Sequence, residues 1–153
     1  GGTPHVTFVV ERLAELRKHI DHLRTLREKV TSEAALEENL SLHNDVLFSL
    51  LTVAQLVIDI SGEVSSRARL PFEDYTTAVR NLAGIEGFPR ELVDELSRLP
   101  GFRNVLIHDY VGLDYRLVLR ALAHLEPVEE FARIVSDRLI RESAGGPTGE
   151  QVP

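Results

Sequence analysis

Apolar residues at Val9, Leu13, Leu16, Ile20, Leu23, Leu26 and Val30 step along the chain by threes and fours. That spacing draws one stripe on a helix, with Glu11, Arg12, Glu15, Arg17, Lys18, Asp21 and Arg24 mostly off it. Thr31-Ser32-Glu33 supplies a cap and an acidic first turn for a second helix. No Gly or Pro follows until Gly62, so the pattern predicts that this helix is long. From Val46 to Ile60 it is apolar in nearly every direction, because Ser49, Thr52, Gln55 and Asp59 share about a third of the circumference at about 100° per residue. A helix of that kind must be covered on more than one side, which points to a subunit interface, the favoured reading, or to a central position under other helices. Interrupted by those four residues, the run is too short and too polar to span a bilayer, so no membrane partner is expected.

Leu70-Pro71 closes that region. Phe72, Tyr75, Val79 and Leu82 mark a short third helix stopped by Gly84. Pro89 suits the first turn of a fourth helix, whose stripe begins at Leu92, Leu96 and Leu99. Asp114 opens a fifth, with Val118, Leu122, Leu125, Val128, Ala132, Val135 and Leu139 inward and a kink expected at Pro127. No strand-length alternation and no repeat interrupts the series. The expectation is all-α, an antiparallel bundle of about five helices over residues 3–142. The last segment, SAGGPTGEQVP from Ser143, has no core residues and is expected to be a disordered tail. Gly1-Gly2, in a chain without Met, reads as a processing remnant.

Composition narrows the chemistry. With 153 residues the chain is one domain, long enough to bury a core without staples. The absence of Cys excludes disulfides, thiolate zinc sites, iron–sulfur clusters and a cysteine nucleophile, and suits a cytoplasmic setting. A net charge of −7 argues against indiscriminate coating of nucleic acid while leaving room for a local basic pocket. Arg outnumbers Lys by fifteen to two, which fits forked phosphate contacts and equally fits GC-rich coding. Glu15, His19 and His22 stand at i, i+4 and i+7, but a solvated face is the expected reading, so no metal and no cofactor are assigned. Glu-x-x-His, Gly-x-Ser-x-Gly and the Gly-x4-Gly-Lys phosphate loop are all absent.

The informative stretch is Gly101-Phe102-Arg103-Asn104-Val105-Leu106-Ile107-His108-Asp109-Tyr110. Continuing the fourth stripe by the same steps reaches Arg103, Leu106 and then Tyr110, which places an arginine and a tyrosine on the inward face. Asn104 and His108, four apart, stack on a neighbouring face. An arginine on an apolar stripe is costly unless paired or lining a wet cleft. A satisfied core is one account: Arg103 bonded to a carboxylate such as Asp59, and His108 capping a carbonyl.

GFRNVLIHDY, followed by the capped helix at Leu113-Asp114-Tyr115, resembles the HepT-like family of HEPN ribonucleases, the toxin halves of HepT–MntA type toxin–antitoxin pairs. The family motif is Arg, four residues, His, one residue, Tyr; here Arg103, His108 and Tyr110 match it, and Asn104 matches the wider HEPN pattern. The likeness extends to QLVIDIS in the long apolar helix and to PFEDYTTAVRNLAG. Pro100 and Pro127 depart from it.

The resemblance implies a homodimer with facing motifs and metal-independent endonucleolytic cleavage of RNA. Arg103 and His108 would be catalytic and Asn104 supporting. Tyr110 would accept AMP from a cognate MntA-like nucleotidyltransferase antitoxin. A non-catalytic HEPN-type module that docks a nucleotidyltransferase, or holds nucleotide or RNA, is the alternative.

Overall fold

The computed structural model describes residues 4–150, with side chains through 144. Eight α-helices and one 3-10 turn make up the described chain, with no strand among the described residues. The expectation of an all-α bundle holds, and the count of about five helices is corrected. Three of the expected helices are each divided in two, the second by capping at Asn39, the fourth at Ser97-Arg98 and the fifth at His124-Leu125.

The first helix, α1 (Pro4–Arg27), buries Val9, Leu13, Leu16, Ile20, Leu23 and Leu26, the stripe read from the spacing. The long second helix is two. In α2 (Glu33–Glu38), Ser32 caps the start by accepting from the Ala35 amide at 3.3 Å. Asn39 then leaves helical geometry and caps α3 (Leu40–Arg67) by accepting from the Leu42 amide at 3.0 Å. Asn is a strong N-cap residue, and its side chain competes for the backbone donors that would have continued the first helix. By length and composition α3 could cross a membrane; half of its most apolar window is buried inside the fold, as in the central helix of a bundle.

α4 (Tyr75–Arg80) is capped by Asp74 and runs into the 3-10 turn Asn81–Gly84. Val79 and Leu82 are buried, whereas Phe72 and Tyr75, expected inward, stay partly exposed. Phe72 lies against α3 at Gly62, where a Cβ would stand only 3.2 Å from the ring. The fourth expected helix is also two, α5 (Arg90–Leu96) and α6 (Leu99–His108), separated at Ser97-Arg98. Pro100 sits in the first turn of α6, where its missing amide hydrogen costs nothing. The fifth divides into α7 (Tyr115–Ala123) and α8 (Glu126–Glu150). Pro127 therefore starts a helix and does not kink one.

Leu16, Leu23, Val46, Val57, Ile60, Val118 and Phe131, all within 1% of complete burial, anchor a single core shared by α1, α3, α7 and α8. The α8 backbone is helical through Glu150, into the segment expected to be a tail; the side chains of 145–150 and residues 151–153 lie outside those described.

Candidate active site

α3 supplies one wall of the site and α6 the other. On α3, Phe48, Thr52, Gln55 and Asp59 recur at steps of four, three and four, so they share one face. Gln55 Nε2 donates to Asp59 Oδ1 at 2.7 Å. Across the helix pair, Arg103 Nε donates to Gln55 Oε1. Arg103 Nη1 donates to Asn104 Oδ1 at 3.1 Å. The Tyr75 ring at the start of α4 lies beside the guanidinium, with its centroid 5.3 Å from the Arg103 Cζ. Arg103 is half-buried, and Nη2 makes no hydrogen bond to the described protein. A guanidinium held at Nε and Nη1, with Nη2 toward solvent, can meet a phosphate oxygen.

His108 is the last residue of α6 and is exposed, without a hydrogen-bond partner among the described residues. Five residues of helix place it about 7.5 Å along the axis and about 140° around from Arg103. It therefore does not cap a carbonyl, and the satisfied-core account fails for it. For Arg103 that account is half right: it has a partner on α3, but the direct partner is Gln55, with Asp59 one hydrogen bond further on.

Tyr110 corrects the sequence reading. The helix ends at Asp109, whose amide returns to the Val105 carbonyl at 2.9 Å, and Tyr110 follows in the connection to α7. It is 62% exposed, so it does not sit on the inward stripe with Arg103 and Leu106. Val111 beside it is 91% exposed. The connection is re-anchored by Asp114, which caps α7 and grips Arg116 with both carboxylate oxygens, at 3.0 and 2.9 Å. The hydrogen bonds from the Arg116 side chain, then that from its backbone amide, hold the Asp114 carboxyl below the usual carboxylate range.

Two site residues escaped the sequence as participants. The spacing shows Gln55 only as a polar interruption of an apolar run, and Tyr75 only as a position of the short third helix. The available signal was the Gln55–Asp59 pair at i, i+4 inside that run. Of the Glu15–His19–His22 set, Glu15 Oε2 and His19 Nε2 stand 3.8 Å apart, while His19 Nδ1 pairs with Ser49 Oγ at 3.0 Å and His22 Nε2 with Asp45 Oδ1 at 2.8 Å. No group of three possible metal ligands occurs among the described residues.

An all-α fold carrying Arg103, His108 and Tyr110 on α6 and just past its end agrees with the resemblance to HEPN-type domains. The chain belongs to the family described as Ribonuclease HepT-like, whose model matches residues 16–135. It is 21% identical over 130 residues to the mRNA nuclease HepT of Shewanella oneidensis, spanning 84% of this chain and 96% of that protein. Its fold is similar to that of a tri-AMPylated Shewanella oneidensis HEPN toxin in complex with an MNT antitoxin. The TM-score is 0.73 at 20% identity, over 85% of this chain and 97% of the other. A toxin–antitoxin structure with AMP-PNP gives a TM-score of 0.72 at 20% identity, over 84% and 97% of the two chains.

Proposed function

We propose that the protein is the ribonuclease toxin of a toxin–antitoxin pair, cutting RNA without a metal at a site shared by two subunits. The observation that carries this reading is the arrangement at α6. Among the described residues Arg103 keeps one guanidinium nitrogen without a hydrogen bond and exposed His108 has no partner, both in a motif that matches the family. RNA brings its own nucleophile, the ribose 2′-OH. A His takes the 2′-OH proton, the oxygen attacks phosphorus, and the 5′-oxygen leaves with a proton from a second His. The products are a 2′,3′-cyclic phosphate and a 5′-hydroxyl end. Arg103 stabilises the charge on the phosphorane oxygens, and Asn104 steadies Arg103. One subunit offers one such His and one such Arg; a homodimer offers two of each.

The exposed apolar residues support the dimer. Phe48 is 63% exposed and Leu40 70% on α3, and Tyr75, beside Arg103, is 45% exposed on α4. A fully buried Phe contributes about 1.5–3 kcal/mol over an exposed one, and a second copy would recover it. Control falls to Tyr110. An exposed phenol just past His108 is accessible to a nucleotidyltransferase antitoxin, and each added AMP places a phosphodiester charge and a nucleoside where the RNA backbone would lie. The setting is cytoplasmic.

The test is cleavage of a mixed RNA pool, with end analysis. Wild type is expected to leave cyclic phosphates in the presence of chelator. Arg103→Ala and His108→Ala should lose activity by about two to four orders of magnitude while helicity and mass persist. Full activity in a folded His108→Ala dimer would falsify the assignment. In co-expression with a cognate nucleotidyltransferase, AMP increments should map to Tyr110, and Tyr110→Phe should stay active yet escape silencing. Modification elsewhere, with Tyr110 untouched, would refute that part.

A further inference from the structure

We infer that Gln55 and Asp59 form a positioning relay that holds Arg103 in place without neutralising it; this rests on the ribonuclease reading above. A guanidinium has donors only, so Gln55 must present Oε1 to Arg103. Rotating the amide by half a turn would put NH2 against the guanidinium, donor against donor. Asp59 prevents this, because its Oδ1 accepts from Gln55 Nε2 at 2.7 Å and gives the amide nitrogen its own partner. The order Asp59, Gln55, Arg103 thus has one consistent direction of donation.

The neutrality of the direct partners is the informative feature. Both acceptors on Arg103 are amide oxygens, those of Gln55 and Asn104, and the third neighbour is the Tyr75 ring. Arg24, Arg116 and Arg133 instead pair with carboxylates. A carboxylate at position 55 would form a charge-assisted pair with Arg103 and compete with a phosphate for it. With the relay, the Asp59 carboxylate stands one hydrogen bond away, where it orients the amide and leaves Arg103 for substrate. Gln55 and Asp59 touch no reacting atom in this scheme; they act through Arg103.

The experiment compares wild type with Gln55→Glu, Gln55→Leu, Asp59→Asn and Asp59→Leu, each checked for mass and helicity. Cleavage of a fluorogenic RNA oligonucleotide is measured across salt concentrations, and exchange of the Arg103 Nε–H is followed by NMR. Gln55→Glu is expected to keep the Nε–H protected yet raise KM by about tenfold or more. Its salt slope should also fall by about 0.7, the loss of one phosphate contact on a single strand. Gln55→Leu and Asp59→Leu should lose the protection and lower kcat. Asp59→Asn should stay near wild type, since its carbonyl can still accept. Wild-type KM and salt slope in Gln55→Glu, or unchanged protection and kcat in Asp59→Leu, would overturn the relay. A wild type that cuts no RNA would refute the ribonuclease reading and the relay with it, an outcome distinct from relay failure in an active protein.

Discussion

The two faces of α3 are made from the same 28 residues and do opposite things. The inner face buries Val46, Leu50, Val53, Val57, Ile60 and Val64 against α1 and the rest of the core. The outer face carries Phe48 in solvent and Gln55 and Asp59 in the hydrogen bonds that lead to Arg103. An apolar face that is closed within the chain builds stability. A mostly polar face that leaves Phe48 exposed on the same strip as the partners of Arg103 is what a second subunit would use. One helix therefore ties the core to the site, and the difference between its faces can be measured.

The largest effect is expected on the inner face. Ile60 is fully buried, so Ile60→Ala should cost about 2–5 kcal/mol, a loss readable by urea denaturation. On the outer face Phe48→Asp should cost a single chain much less, because Phe48 is 63% exposed and gives up the His19 ring contact in place of a core position. The comparison breaks if the two variants are destabilised alike. Light scattering sharpens it: wild type should have twice the chain mass of 17.1 kDa, and Phe48→Asp should shift toward one chain and lose cleavage in proportion. A wild type that stays a single chain at micromolar concentration would remove the shared-site mechanism.

The α1 stripe was legible from spacing alone, because burial within a chain imposes the helical period directly, whereas α3 reads as apolar nearly all round. Every position of the α1 stripe proved buried. The helix ends were less legible. Asn39 looks like any polar residue in a helical run until its side chain is seen on the Leu42 amide, and Pro127 reads as a kink until the chain is seen to restart there. The site was legible in part. Arg103, Asn104, His108 and Tyr110 were marked by the motif, but the exposure of Tyr110 was hidden because the stripe was extended past the point where α6 ends. Gln55 was hidden for another reason: its partner is 48 residues away, and no local spacing shows a contact of that range.

Helix capping supplies a second contrast, between helices that begin at neutral caps and helices that begin at carboxylates, with the smallest expected effect. α2 and α3 begin at Ser32 and Asn39, which do not titrate in the acid range. The two helices that flank the site begin at carboxylates: Asp74 starts α4, which carries Tyr75 beside Arg103, and Asp114 starts α7 just past Tyr110. The Thr77 backbone amide, first, holds the Asp74 carboxyl below its ordinary range, as the Arg116 contacts do for Asp114. A carboxylate depressed in the folded state contributes stability that is fully present above its unfolded value of about 3.9 and is lost as pH falls through the lower folded value. Both caps should thus be intact at pH 5 and weaken below about pH 4. Amide exchange, corrected for intrinsic rates, should then lose protection at Thr77 and Arg116 before Ala35 and Leu42. Asp114→Asn should remove the acid sensitivity at Arg116 while keeping a cap, since Asn accepts the same backbone bond without titrating. Equal loss of protection at all four amides would mean that acid acts on the whole fold and not on the carboxylate caps that border the site.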